Sequence, residues 1–118
     1  MGFGNESFFI YTRNGYTQGM STPKIETPKM SEILKEEFML PLGISAYRLA
    51  NDIDVPVSRI QDILHDRRKI TADTSIRLGR YFGVSENYFL NLQSDIDIRN
   101  AKAEMGDAIK EILPLKDR

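Results

Sequence analysis

The sequence contains no cysteine, so it has neither a disulfide framework nor a metal site built from thiolates. No apolar stretch approaches the roughly 20 residues that span a membrane, and no signal peptide is visible. We therefore expect a cytoplasmic protein without a membrane partner. The length of 118 residues suits one domain with an arm or tail outside it, and 41% hydrophobic residues can build a small helical core.

Histidine is almost as scarce, since His65 is the only one in the chain. Its spacing supports no Ser-His-Asp arrangement, and we expect it to have a structural or phosphate-contacting role. The sequence also lacks a glycine-rich phosphate loop, an HExxH motif and the His and Cys spacings of metal sites. These absences predict a protein that is not an enzyme and that needs no metal or other cofactor.

Net charge is small, at −1, and does not by itself indicate a nucleic-acid binder. The distribution is uneven, however, because six basic residues stand against three acidic ones between Arg59 and Arg80. From Glu86 onward acidic residues outnumber basic ones. A locally basic face is compatible with specific DNA binding, although the basic run at residues 67–69, taken alone, is equally compatible with a solvated loop.

Residues 44–69 contain the pattern of two short helices joined by a tight turn. Ser45 is a suitable N-cap for the first helix, because its hydroxyl can accept a hydrogen bond from the amide near Arg48. Pro56 suits the first turn of the second helix and biases Val55 away from helical geometry. The residues expected to face the core are Leu49, Ala50, Ile53, Ile60, Ile63 and Leu64.

The outward positions of the second helix carry small and polar side chains, which suits a helix that enters the major groove of DNA. Arg59 could pair with O6 and N7 of guanine, and Asp62 could accept a hydrogen bond from N4 of cytosine. The residues expected to contact bases are Val57, Ser58, Arg59 and Asp62. The residues expected to bind phosphates are Ser45, Arg48, Arg67, Arg68, Lys69 and Thr71.

Three more helices are expected around this pair. Ser31 is in N-cap position for the first of them, and Ser85 for the last, which extends to about Met105. Between them, a helix over residues 73–82 stops at Gly83. Its small residues Ser75 and Gly79 predict a close approach by another helix.

DNA recognition through one helix covers only a few base pairs, so we expect a homodimer that places two such helices about 34 Å apart. The last helix has an apolar stripe that could supply the interface. The residues of this stripe are Tyr88, Phe89, Leu92 and Ile96.

Two terminal segments lie outside the expected domain, which covers residues 30–99. In the extension at residues 1–29, the segment Phe8–Thr12 favours a strand and Asn14-Gly15 a turn, so either a hairpin or a flexible arm is expected. The C-terminal tail at residues 100–118 is amphipathic but is interrupted by Gly106. This tail could pack on its own domain or dock on another chain, and the sequence does not separate the two.

Several motifs of the chain resemble, in order and spacing, the HigA/VapI-type antitoxins of the xenobiotic-response-element (lambda-repressor-like) helix-turn-helix class. The matching segments lie within residues 28–97 and include SEILKEEF, LGISAYRLA, ITADTSIRLGRYFG and FLNLQ. Asp54 and Asp66 depart from the pattern, since the family usually has glycine there. We expect both residues to adopt a positive φ, which aspartate tolerates better than most residues do.

The resemblance implies an all-α, five-helix, lambda-repressor-like domain that dimerises and binds an inverted repeat in its own promoter. It further implies an antitoxin that neutralises a HigB/RelE-like toxin, an mRNA endonuclease. The alternative is a stand-alone helix-turn-helix repressor without a toxin partner. A third possibility is a protein-interaction module whose acidic residues have abolished DNA binding.

Overall fold

The computed structural model describes residues 26–118, and the expected hairpin or arm at residues 1–19 lies outside this range. Five helices form the described part of the chain, in which no strand occurs, so the all-α, five-helix prediction is confirmed. Their bounds are α1 Met30–Ile33, α2 Ala46–Ile53, α3 Val57–Leu64, α4 Ala72–Phe82 and α5 Tyr88–Met105. No helix within residues 26–118 is both long and apolar enough to cross a bilayer.

Helix α1 is only the first part of a longer helical segment. It continues as a π-helical turn over Leu34–Met39 and a 3-10 turn over Leu40–Leu42, which ends at Gly43 with φ 65°. The expectation that Ser31 caps this helix is wrong, because Lys29 occupies the N-cap position. The Ser31 hydroxyl instead donates a 2.9 Å hydrogen bond to Asp66, which ties α1 to the loop after α3.

The core lies where all five helices meet. Its centre is aromatic, since the Phe38 ring packs against Phe82 and Phe89 with centroid separations of 5.2 and 4.9 Å. Burying side chains of this size supplies the main favourable free energy of folding. The largest fully buried apolar residues are Ile33, Leu34, Leu49, Ile60, Ile63, Leu78, Phe89 and Leu92.

Helix α4 packs closely against the start of α5, as its small residues predicted. A side chain at Gly79 would collide with the carbonyl oxygen of Ser85. Ser75 donates a 2.8 Å hydrogen bond to the carbonyl of Glu86 and accepts a 2.9 Å bond from the amide of Leu90. The expected cap from Ser85 is wrong, because α5 begins at Tyr88 and Ser75 satisfies an amide of its first turn from the neighbouring helix.

The C-terminal tail does not fold back on the domain as a continued α-helix. Helix α5 crosses the boundary expected after residue 99 and ends at Gly106, where φ is 55°. Two 3-10 turns follow, at Gly106–Glu111 and Leu115–Asp117. The tail leaves large apolar side chains in solvent, namely Ile112, Leu113 and Leu115.

Candidate nucleic-acid interface

Helices α2 and α3 form the helix-turn-helix that the sequence predicted. The Ser45 hydroxyl accepts the amide of Arg48 at 3.0 Å and so caps α2. Asp54 ends α2 in the left-handed conformation with φ 62°, and the Val55 amide donates to the carbonyl of Ala50. Pro56 then precedes α3 in an extended conformation. Short-range bonds of this kind fix the turn that sets the relative position of the two helices.

Ser58 and Asp62 share the outward face of α3. Each lies two residues along the chain from the fully buried Ile60, a separation of about 200° around the helix axis. Val57, on the first turn, is 37% exposed. Ser58 and Asp62 therefore lie on the part of α3 that a DNA groove could reach, and Val57 is exposed at the start of the helix, about 60° around it from Ile60.

Arg59 lies at the edge of this face, toward α4. It lies one residue from Ile60, about 100° around the helix, and only 28% of its side chain is exposed. Its Nη1 donates a 2.7 Å hydrogen bond to Asp73 on α4. Asp62 lies one turn farther along α3, but the Arg59 guanidinium is engaged by Asp73 on α4 and does not join Ser58 and Asp62 on the outward face, as it was expected to do.

Most of the expected phosphate-binding cations are paired with carboxylates of the chain itself. The nitrogen–oxygen distances are 3.3 Å for Arg48–Asp52, 3.0 Å for Arg67–Asp62 and 3.1 Å for Lys69–Asp97. Arg68 has no such partner within residues 26–118. The basic loop therefore presents much less net positive charge than its sequence suggests.

The two hydroxyl groups expected at phosphates both cap helices. Thr71 accepts the amide of Thr74 at 3.4 Å at the start of α4, as Ser45 does for α2. A hydroxyl that accepts a bond still has its own O–H to donate, so Ser45 remains suited to a phosphate. The Thr71 hydroxyl also lies 3.4 Å from that of Thr74, to which it can donate.

The carboxyl of Asp73 has a lowered pKa. Hydrogen bonds from Arg77 first and from Arg59 second hold the pKa of its carboxyl below the ordinary value of 3.8. Arg77 Nη1 in turn donates to the carbonyl of Ile53 at the end of α2, at 2.8 Å. One turn along α4 from Arg77, the Tyr81 hydroxyl donates to Asp52 at 2.7 Å, which raises the pKa of Tyr81 above its ordinary value of 10.0.

The dimer residues expected on α5 require a correction. These side chains lie inside the domain and are at most 9% exposed, because the apolar stripe of α5 is the face that closes the core of its own chain. They cannot form the contact surface between two folded copies. The residues concerned are Tyr88, Phe89, Leu92 and Ile96.

Known proteins and solved structures resemble this chain over most of its length. A Helix-turn-helix family model matches residues 34–89. Virulence-associated protein I of Dichelobacter nodosus is 43% identical over 100 residues, which are 81% of this chain and 92% of that protein. The structure of Pseudomonas aeruginosa antitoxin HigA with the higBA promoter is 40% identical and has a TM-score of 0.69, covering 76% of this chain and 99% of HigA. This chain belongs to the HigA-type antitoxins of the helix-turn-helix class.

A second structure similar to this HigA-type chain is also a DNA complex. It contains a Pseudomonas aeruginosa protein bound to its 18 bp operator and is 39% identical, with a TM-score of 0.72. The likeness covers 78% of this chain and 98% of that protein. The fold described above is therefore one on which DNA-bound structures have been solved.

Sequence analysis missed the carboxylates that pair with the cations of this HigA-type chain. Two of the pairs have a local signal, since Asp52 follows Arg48 by four residues and Arg77 follows Asp73 by four. No local signal in the sequence predicts the bond from Lys69 to Asp97 or the bond from Arg59 to Asp73. These two join residues 28 and 14 positions apart, which only the packing of the helices brings together.

Proposed function

We propose that this HigA-type protein binds an inverted repeat in its own promoter as a homodimer and represses transcription there. We further propose that it neutralises a toxin of the RelE-like mRNA endonuclease class and does both in the cytoplasm. The observation that supports the DNA-binding part is the outward face of α3. It combines Ser58 and Asp62 with an exposed Val57, on a fold whose solved relatives hold promoter or operator DNA.

Base reading is assigned to the outward face of α3. Asp62 is paired with Arg67, but both nitrogens of Arg67 contact the same oxygen, Oδ1. The other oxygen can accept a hydrogen bond from N4 of cytosine, while Arg67 stays beside the DNA backbone. Ser58 can donate to or accept from a base edge, and Val57 can contact a thymine methyl group.

Phosphate binding is assigned to the two ends of the helix-turn-helix. Arg68 is available without breaking an ion pair within residues 26–118, and the Ser45 hydroxyl can donate at the start of α2. Arg48, Arg67 and Lys69 would exchange their carboxylates for phosphates. Breaking each of these ion pairs offsets part of the free energy gained from the phosphate contact. Affinity for DNA should therefore rest on a few contacts and on dimerisation.

The dimer contact is assigned to α4 and the start of α5. Ile76 on α4 is 43% exposed beside a shallow, largely apolar concavity of about 300 Å³. Ile76 lies one turn beyond Asp73, which touches Arg59 at the start of α3. A second copy seated at Ile76 would therefore bring the two α3 helices close together, as reading one inverted repeat requires.

Toxin binding is assigned to the C-terminal tail. Its residues Ile112, Leu113 and Leu115 are exposed, and an unsatisfied apolar segment of this kind gains free energy by ordering on a partner. The N-terminal arm is the other segment with apolar content, and it lies outside the described residues. The family to which the chain belongs supports an antitoxin role over that of a repressor without a toxin partner.

Two measurements test this function. The purified chain should bind its own promoter fragment at least about 1,000-fold more tightly than a shuffled fragment at physiological salt. The Ser58→Ala/Asp62→Asn double variant should lose most of that difference. If the neighbouring gene encodes such a toxin, co-expression of this chain should restore growth of cells that the toxin arrests, and truncation after Met105 should abolish that rescue but not DNA binding. Promoter binding without any rescue would favour the stand-alone repressor.

A further inference from the structure

Three charged residues connect the parts of the helix-turn-helix through α4. Arg77 on α4 donates to the carbonyl of Ile53, which is the last residue of α2. The same guanidinium, through Nε, contacts both carboxylate oxygens of Asp73 at 3.1 and 3.3 Å. Asp73 also accepts the 2.7 Å hydrogen bond from Arg59 on α3.

The resulting network, Arg59–Asp73–Arg77, connects α2 to α3 through α4. None of its three residues belongs to the turn between α2 and α3. It begins at the carboxyl end of α2 and ends on the first turn of α3, with α4 between them. Backbone bonds already fix the turn locally, but they involve only residues 50–56 and 59. The network is a separate restraint on how α3 lies relative to the rest of the domain.

We infer that Arg59 is a positioning residue for DNA recognition and not a base reader, and that Asp73 and Arg77 act with it to orient α3 in the groove. This inference rests on the proposed DNA binding. Arg59 lies on the flank of α3 toward α4, about 100° around the helix from the buried Ile60, and its side chain is 28% exposed with Nη1 bonded to Asp73. To read guanine, a guanidinium directs two N–H groups at O6 and N7 of the base, whereas the Arg59 guanidinium is turned to Asp73 on α4.

The two roles of Arg59 predict opposite effects of removing the Asp73 charge. If Arg59 read a base, the Asp73→Asn variant would release it and leave discrimination unchanged or improved. If Arg59 positions α3, the same variant loosens the helix and weakens every base contact that the helix makes. Base contacts depend on alignment, whereas non-specific phosphate contacts tolerate small shifts. The loss should therefore fall on discrimination and not on binding to shuffled DNA.

The test measures affinity for the promoter fragment and for a shuffled fragment across a series of salt concentrations. In Asp73→Asn the ratio of the two affinities should fall by about tenfold, the size of one misplaced base contact, with the salt slope for the shuffled fragment unchanged. Asp95→Asn is the matched control, because Asp95 forms an i,i+4 ion pair with Arg99 at 3.1 Å, away from α3. It should keep the ratio of the wild type.

A double-variant cycle and a base-preference assay complete the test. Arg59→Ala combined with Asp73→Asn should lose no more discrimination than either change alone, because both break one network. Arg59→Ala should flatten preference at every base pair that α3 reads, and Arg59→Lys, which keeps a charge for Asp73, should restore most of it. A loss confined to one base pair, or an unchanged ratio in Asp73→Asn, would overturn the inference. Circular dichroism of each variant confirms that it is folded. If the wild type did not discriminate between promoter and shuffled DNA, the result would count against the proposed function and not against this inference.

Discussion

At the scale of single residues, Arg68 is the side chain proposed to contribute to affinity for DNA without contributing to base preference. It is the cation of the basic loop that has no carboxylate partner within residues 26–118. We predict that Arg68→Ala weakens binding to promoter and shuffled DNA by the same factor and lowers the salt slope by about one. Fluorescence anisotropy at several salt concentrations measures both. Lys102→Ala, an exposed cation near the end of α5, is the control that should leave both unchanged.

Asp54 and Asp66 show how the same backbone conformation can have different consequences. Both have positive φ, at 62° and 59°, in positions where glycine is the unstrained residue. Asp66 also accepts the hydroxyl of Ser31, a bond of about 1 kcal/mol that glycine cannot make.

We predict that Asp54→Gly raises the free energy of unfolding by roughly 0.5–1 kcal/mol, since relief of strain outweighs the added freedom of the unfolded chain. Asp66→Gly should gain about 1 kcal/mol less, or lose stability, because it also loses the bond to Ser31. Urea denaturation of the two variants gives both values. An equal gain in the two proteins would mean that the Ser31 bond contributes nothing.

At the scale of elements, the sequence was most informative where one helix contained the whole signal. Ser45 caps α2 through an amide three residues away, and Gly83 ends α4 with φ 79°, as predicted for both. The N-caps predicted at Ser31 and Ser85 were wrong, because contacts between elements replace the local hydrogen bonds that were expected. The Ser31 hydroxyl bonds to Asp66, and α5 is capped by Ser75, which is 15 residues from its partner Leu90. Such bonds depend on how helices pack, which no local pattern contains.

The candidate site divides in the same way. The position of the helix-turn-helix and its outward residues Ser58 and Asp62 follow from periodicity alone. The pairing of Arg59 with Asp73 does not, since it requires the approach of α3 and α4. The apolar stripe of α5 was recognised, but a stripe does not reveal whether it meets its own core or a second chain.

The contact between α4 and the start of α5 leads to a prediction about stability. Gly79→Ala places a methyl group against the backbone carbonyl of Ser85, which no rotamer change can relieve. We expect a loss of about 1–3 kcal/mol in the free energy of unfolding, measured by thermal or urea denaturation. Arg80→Ala, on the next residue of the same helix, removes only an exposed ion pair and should change stability by less than about 1 kcal/mol. A Gly79→Ala protein as stable as Arg80→Ala would contradict the packing described here.

At the scale of the whole molecule, the proposed dimer needs a contact surface other than the apolar stripe of α5, which is buried in the core. The proposed contact is therefore placed at Ile76, a large apolar side chain of α4 that is 43% exposed. We predict that Ile76→Arg makes the protein monomeric and weakens promoter binding by more than tenfold, because two half-sites are no longer read together. Analytical ultracentrifugation at micromolar concentration measures the mass.

The control for this change is Ile98→Arg, which places the same charge at another exposed isoleucine, on α5. It should remain dimeric and keep its affinity for the promoter. If Ile98→Arg were monomeric and Ile76→Arg were not, the dimer surface would lie on α5, away from the DNA-reading helix.

The measurement that tests the central claim most directly is hydroxyl-radical footprinting of the chain on its own promoter. A dimer that presents two α3 helices should protect two half-sites of an inverted repeat on one face of the DNA, with centres about one helical turn, or 34 Å, apart. The Ser58→Ala/Asp62→Asn variant should lose both protected regions at the same protein concentration. A single protected region, or uniform protection that follows no repeat, would contradict the claim that this chain reads DNA as a symmetric helix-turn-helix dimer.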